Sequence, residues 1–528
     1  MMARVSPAAP PGDHPERSSF PDPAAWPWAL VALLPYAVIV FRCMTERGPT
    51  YLEGDLALLH VDSLRAAGLH QLLGPYDRFG WHHLGPAYAY LMAAVGRLVG
   101  ANHPLQAEAL TAALVDGLSL SGAALVARRA LGAAAATGTV LVGMVLAISL
   151  GNDAVFNPWP PLIVVVPLIL LGVLALSWFR MGGALPALSM LLVGTFCVQS
   201  DVGTAPYVGA LGLALAVGRV VRFRRPWVVR GRPAGLGAAL VAAAVAVAWV
   251  PVAVQQLGAR GGNLTLVVRF FLSSHRHAGL VAGVRAAGWA QLAAVGLRPP
   301  GAPPIGDAGI AAAVVVVVLA GALGSAGLAG RRPLMVGAAA LWLGGTLVAI
   351  AAGAQIAGPP YSYLTIWAVA PLVGGFVAAG VLLASVLPAP GRTSALFLFA
   401  AASSLAVTGA VVARRPVQSY SSNSVGRAWA SVGPWVGRSD PVGVAFGNDA
   451  ASWNLGTGLV DQLESTRHPV RVLPFWDSQV YSDDRGPVRW WVSVLPLGAA
   501  QPAGQRVLGV VGSSRLLIGT VPALSIKP

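Results

Sequence analysis

Runs of sixteen to twenty-five apolar residues recur along the chain, broken by short stretches of Arg, Pro and Gly. A helix needs about 20 residues to cross a bilayer's hydrocarbon core and must satisfy its backbone groups internally, so each run predicts a membrane-crossing helix. Eleven such spans fall near 26–43, 107–127, 132–150, 159–178, 184–199, 204–218, 234–256, 308–328, 334–353, 363–386 and 394–412. Two stretches break the pattern. The segment 86–100 is only fifteen residues long and carries Arg97, which suits a helix lying along the membrane surface. Between 257 and 306, Arg269, Arg276 and Arg285 recur through apolar sequence, as in one or two amphipathic interfacial helices within an outer loop.

The pattern changes at both ends. Residues 1–25 are polar and Pro-rich, which predicts a disordered cytoplasmic tail rather than a signal peptide. From 414 to 528 polar and acidic residues return. There PVGVAFG reads as a strand, NDAASWNLGTGLVDQLESTRH as a helix and PVRVLPF as a strand, with RWWVSVLPL, RVLGVVG and RLLIGTV as further strands. This predicts a small α/β domain. The expected fold is mainly α: a polytopic membrane domain over 26–413, whose first outer loop is 44–106, followed by an extracytoplasmic α/β domain over 414–528.

Charge supplies the orientation. Arginines crowd between Arg219 and Arg232 and recur at Arg128-Arg129, Arg180, Arg331-Arg332 and Arg392, in loops without acids. Short Arg-rich loops mark the cytoplasmic face. The acids from Glu46 to Asp77, with Asp153, Asp201 and Asp307, occupy the opposite loops. Parity then places the N-terminus inside and everything after about 413 outside, if 86–100 does not span.

Composition agrees. The 528 residues are 56% hydrophobic and 10% charged, too little charge to cover a soluble surface of this size. The net charge of +15 comes from 34 Arg and one Lys against 20 acids, and no basic stripe interleaved with aromatics suggests nucleic acid. Cys43 and Cys197 lie in or at the end of apolar runs and read as packing residues.

One loop concentrates the polar chemistry. Tyr51–Pro86 holds Glu53, Asp55, Asp62, Asp77, Arg78, His82 and His83 directly after the first span. Transfer of a group from a lipid phosphate needs a carboxylate to take the acceptor's proton and cationic or hydrogen-bonding groups to hold the departing phosphate. Asp55 suits the first role; Arg78, His82 and His83, at headgroup depth, suit the second. Plainer roles compete: Asp62 paired with Arg65 at helical spacing, Asp77 as a turn residue after Gly74-Pro75, and the two histidines as interfacial hydrogen-bonding residues. A divalent cation at the histidines stays open.

The second outer loop, GNDAVFNPWPP, adds Asp153, Asn157 and Trp159, with a turn or capping role for Asp153 as the alternative. Asp201 reads as an N-cap, and Asp116, costly in lipid, must face protein or water. His275 and Arg276, with His277, are candidates for phosphate or acceptor contact, or for snorkelling from an interfacial helix. Tyr361 and Tyr363 line the cavity or anchor the interface.

At these residues the chain resembles the GT-C superfamily of membrane glycosyltransferases, including uncharacterised actinobacterial members. The shared pattern is a first span, a loop with an acid (Asp55 in GDLALLHVDSLRA), then His83-Leu84-Gly85-Pro86 leading into a juxtamembrane helix. The Arg128-Arg129 loop and a second outer loop with Asp153 follow, so the resemblance covers about the first 210 residues. It implies two juxtamembrane helices in the first outer loop. It also implies an inverting transfer of a sugar from a polyprenyl-phosphate donor to a glycan, lipid or protein of the cell envelope. Asp55 is then the general base. Several relatives carry an adjacent acidic pair there, so Glu53 is expected to share that duty. The rival reading is a membrane transporter or lipid flippase, which predicts ionisable residues near the bilayer midplane; only Asp116 meets that description.

Overall fold

The computed structural model describes residues 23–46, 48, 50–99, 103–223, 235–258, 262–273, 277–298, 306–413, 421–437, 441–473, 488–520 and 522, with the side chains of 152–153 and 219–223 outside that description. Of the predicted tail, residues 1–22 lie outside the described residues, and Pro23–Ala25 form a 3₁₀ turn leading into the first helix.

The chain is mainly helical and is a multi-pass membrane protein. Its membrane part comprises α1 (Trp26–Thr45), α2 (Gly54–Ala67), α3 (Ala87–Val99), α4 (Pro104–Val126), α5 (Ala133–Ser149), α6 (Pro160–Ile163), α7 (Val165–Met181) and α8 (Ala184–Ser200). It continues through α9 (Ala205–Phe223), α10 (Leu236–Gly258), α11 (Asn263–Leu272), α12 (Leu280–Ala294), α13 (Ala308–Ala329), α14 (Pro333–Ala354), α15 (Leu372–Val386) and α16 (Arg392–Ala413). Among the described residues, eight helical stretches are long and apolar enough to cross a membrane. The other three predicted spans form the shorter apolar helices α5, α8 and α9, part of the same bundle core. Small residues allow the close crossings: a Cβ on Gly138 of α5 would meet the backbone of Phe376 on α15, and Gly380 of α15 lies equally close to Ala134.

Two expectations change. The stretch 257–306 does not lie flat throughout. α11 is a short half-exposed helix, but α12 buries Gly283, Ala286, Ala287, Gly288 and Trp289 against α13 and α14. Its Arg285, read as a mark of amphipathicity, donates instead to Asp307 at 2.9 Å. Asp62 is not a solvated partner of Arg65; it is buried and accepts from Gln71 Nε2 at 3.0 Å.

The long segment between α1 and α4 carries two helices, α2 and α3. With thirteen residues, α3 is too short to cross a bilayer. The second domain comprises α17 (Asn423–Val432), β1 (Val442–Phe446), α18 (Ala450–Ser465), β2 (Val470–Val472), β3 (Trp490–Pro496), β4 (Arg506–Val511) and β5 (Ser514–Gly519). The strands form one sheet in the order β2-β1-β3-β5-β4, with β1 parallel to both neighbours and β5 antiparallel to β3 and β4. The β1–α18–β2 unit is the one expected, and Asp449 caps α18 by accepting from Ser452 N at 3.0 Å.

The sheet domain does not hang free of the membrane part. α2 is buried on both sides: Ala57, Leu59 and Ala66 join the bundle core, while Leu58 and Val61 join the core of the sheet domain. Each of those last two contributes roughly 1.5–3 kcal/mol by leaving water. α2 is thus wedged between the two domains, and Asp55 stands in its first turn.

Candidate active site

Gly54 opens α2 at φ +59°, a conformation that glycine adopts without strain, and it turns the chain so that Asp55 enters the helix facing a cavity. Asp55 is held from two sides. Its Oδ1 accepts from the Tyr76 hydroxyl at 2.6 Å and its Oδ2 from Trp159 Nε1 at 2.9 Å. Burial, and the carboxylate beside it, push the Tyr76 phenol well above its ordinary value, so this group stays a donor. The Trp159 ring is set by its own backbone N–H, which donates to Asn157 Oδ1 at 2.9 Å ahead of Pro160. Asn157 therefore serves as the turn residue that aims Trp159.

Around Asp55 lies a polar chamber of about 170 Å³, lined among others by Asp62, Tyr76, Asp77, Arg78, His83 and Asp201. At Asp77, Arg78, His83, Asp201 and Leu364 this chamber meets a second cavity of about 600 Å³. The second is a mostly apolar groove between α9, α11 and α14, walled by Phe79, Trp81, Val267, Phe270, Phe271 and Trp367. A chamber lined by carboxyls and a greasy trough thus lie side by side, sharing these residues.

The junction carries the cationic and hydrogen-bonding groups. Arg78 donates to Ala357 O at 3.2 Å, and its guanidinium lies 4.9 Å from the Phe79 ring centre and 5.0 Å from that of Tyr361. Tyr361 stacks on Tyr363 (5.7 Å, 10°), and Tyr363 packs on Trp159 at 5.1 Å. An aromatic ladder therefore runs from Arg78 to the indole that holds Asp55.

The two histidines separate. His83 lines both cavities, and its Nδ1 accepts from Val202 N at 3.0 Å, which places the ring proton on Nε2. Burial, with His82 alongside, pushes its imidazole down to about 3, so it is a neutral donor at physiological pH. His82 lines neither cavity. Its Nδ1 meets Gly74 O at 3.0 Å, and its backbone exchanges hydrogen bonds with the Asn263 amide. The expected phosphate role at His82 is therefore replaced by a structural one that pins the loop to α11.

Two carboxyls set aside as local residues also face the site. Asp77 makes the predicted turn, accepting from Phe79 N at 2.9 Å, and Asp201 caps its turn, accepting from Gly203 N at 2.8 Å. Both nevertheless line the junction. Burial pushes Asp77 up to about 6 and Asp201 up to about 7, the backbone N–H opposing the shift in each case. Burial likewise raises Asp62.

Other predicted residues fall elsewhere. Glu53 precedes the helix in an extended conformation and accepts from Ser422 Oγ, lining neither cavity. Of the HRH cluster, His275 and Arg276 lie outside the described residues, and His277 Nδ1 meets Gln355 O at 3.1 Å. The Asp153 side chain also lies outside the description. Among the described residues, no three His, Cys, Asp or Glu side chains converge as a cation site requires. Sequence reasoning overlooked Tyr76, a loop aromatic in GPYD with no local signature.

No protein-family model matches the sequence, and no curated protein matches it. Solved structures do. The crystal structure of ArnT from Cupriavidus metallidurans bound to undecaprenyl phosphate superposes with a TM-score of 0.53 at 14% identity, covering 93% of this chain and 98% of that one. The apo state of the same enzyme gives 0.51 at 16% identity, over 94% and 98%. At such identity the likeness establishes the fold. The mainly helical membrane architecture with a small C-terminal sheet domain expected from the sequence is the fold shared with ArnT over nearly the whole chain.

Proposed function

We propose that this protein is a membrane glycosyltransferase that takes a sugar from a polyprenyl-phosphate donor and passes it to a cell-envelope glycan, lipid or protein. One observation carries the reading: the chamber holding Asp55 adjoins, at Arg78 and His83, an apolar trough about 600 Å³ in volume. An amphiphile with a polar head and a long hydrocarbon tail matches that shape, and Arg78 at the junction supplies a cation for a phosphate. The ArnT structure of the same fold, bound to undecaprenyl phosphate, supports the same ligand class.

In the proposed reaction, the isoprenoid tail lies along Phe79, Trp81, Phe270 and Phe271. The phosphate seats at Arg78 and the His83 Nε2–H, and the sugar enters the chamber. Asp55 takes the proton of the acceptor hydroxyl. The acceptor oxygen attacks the anomeric carbon, and the bond from that carbon to the phosphate oxygen breaks on the opposite face, inverting configuration. The phosphate leaves with the electron pair, and Arg78 and His83 meet the charge that develops on it. The Tyr76 and Trp159 donors fix the orientation of Asp55 while leaving further lone pairs for the proton. Asp55 carries the base role because it lines the chamber, whereas Glu53 lines neither cavity. The Arg-rich loops orient the chain with its N-terminus in the cytoplasm, so this chemistry takes place at the outer face.

The test is transfer by the purified protein from radiolabelled polyprenyl-phosphoryl mannose, glucose or arabinofuranose to a crude envelope acceptor. General-base assistance is worth about 10²–10⁴-fold, so Asp55→Asn should lower kcat by that factor while keeping its fold. Equal transfer by both proteins would move the base elsewhere. No transfer from any donor by folded wild type would return the reading to a lipid flippase.

A further inference from the structure

The tyrosine that steadies Asp55 is itself braced by a residue of the sheet domain. Tyr76, whose hydroxyl donates to Asp55, sits in the loop between α2 and α3, where it bridges to His82 and where Pro75 and Asp77 on either side are held by backbone bonds to His83 and Trp81. Its ring packs at 5.7 Å against Trp453, in the first turn of α18. Trp453 is backed in turn by Phe446 at the end of β1, at 5.9 Å. The neighbouring Asn454 rests on the peptide leading into Asp55: a Cβ at Gly54 would lie 2.8 Å from Asn454 Oδ1. Two turns further along α18, Asp461 meets His60 of α2 at 2.5 Å, both side chains buried. α18 therefore grips α2 at its first turn and again near its middle.

A purely structural account makes these contacts part of the domain's own core. Tyr76 separates the two accounts, because one side of it touches Trp453 and the other donates to Asp55. We infer that Trp453, assisted by Asn454, is a positioning residue that presses Tyr76 into its hydrogen bond with Asp55, so that the sheet domain is part of the catalytic assembly. This inference rests on the assignment of Asp55 as the base.

The test follows the carboxylate itself. The purified full chain is treated with a water-soluble carbodiimide and glycine ethyl ester, and labelling of Asp55 is read by peptide mass spectrometry. Trp453→Ala and Tyr76→Phe should each raise labelling of Asp55 several-fold. The double variant should show no more than either alone, since both break one chain of contacts. Trp453→Phe, which keeps a ring against Tyr76, should stay near wild type. Labelling of the buried Asp461 reports global opening; if it rises in Trp453→Ala, Trp453→Leu, closer in volume, takes its place in the series. Wild-type labelling of Asp55 in the ringless variant, or an effect fully additive with Tyr76→Phe, would overturn the inference. In the transfer assay the same variant should lose about tenfold in kcat with KM for the donor unchanged. Undiminished transfer by Asp55→Asn would remove the base assignment instead, a failure the labelling result keeps separate.

Discussion

Replacing Gly54 by Ala perturbs the active-site helix at its first residue. Two effects add. At φ +59° a side chain meets the following carbonyl, which costs about 1–2 kcal/mol for an L-residue. The new methyl carbon would also lie 2.8 Å from Asn454 Oδ1, nearer than carbon and oxygen tolerate. That oxygen is the end of a rotatable side chain and can swing aside, so backbone strain sets the magnitude and the clash adds little. The stability loss should be about 1–2 kcal/mol, read as a lower apparent Tm in detergent. Activity should suffer more. Relief of the strain shifts Asp55, the next residue, relative to Tyr76 and Trp159, and a misplacement of about 1 Å costs roughly a hundredfold in rate. We therefore expect kcat to fall about ten- to a hundredfold in the transfer assay. The double variant Gly54→Ala/Asn454→Ala isolates the two effects: it removes the clash, keeps the positive φ, and should recover little. Wild-type Tm and kcat in Gly54→Ala, or full recovery in the double variant, would refute the reasoning.

Three further outcomes follow from the same geometry. Arg78→Gln and His83→Ala should weaken binding of undecaprenyl phosphate, measured by isothermal titration calorimetry, whereas His82→Ala should lower Tm and leave that affinity nearly unchanged. Asp77 and Asp201 keep their protons to about pH 6 and pH 7 in the fold, against an ordinary 3.8. The native chain then binds more protons than the unfolded one across that interval, so stability should fall as pH rises from about 4 to 7. Asp77→Asn and Asp201→Asn should each flatten the Tm-against-pH curve there. Finally, Asp461→Ala leaves the buried His60 ring without its hydrogen-bond partner and should cost about 1–3 kcal/mol, while the paired change His60→Leu/Asp461→Leu should cost less, both read from denaturation midpoints.

The membrane helices were legible because most of the apolar runs are long enough to cross a bilayer, a signal local to the run. So was the β-α-β start of the sheet domain. α12 was misjudged for an equally local reason: Arg285 in an apolar stretch looks amphipathic until Asp307, brought alongside by the fold, is seen to neutralise it. Asp55 and Arg78 could be picked out because a charge cluster stands out in a chain so poor in charge. Asp77 and Asp201 were read as turn and cap residues, and they are; a carboxyl has a second oxygen, and what it faces is decided by tertiary structure alone. Adjacent His82 and His83 have the same composition and spacing, yet one backbone step sends one ring into the cavity and the other toward Gly74. Trp453 and Asn454 lie some four hundred positions from Asp55, and no local spacing announces such a contact.

The most direct measurement is an experimental structure of the protein with undecaprenyl phosphate. The account predicts density for the phosphate between Arg78 and His83, beside the Asp55 chamber, and for the isoprenoid chain along Phe79, Trp81, Phe270 and Phe271. A lipid phosphate bound away from Arg78 and His83, with the trough empty, would contradict it.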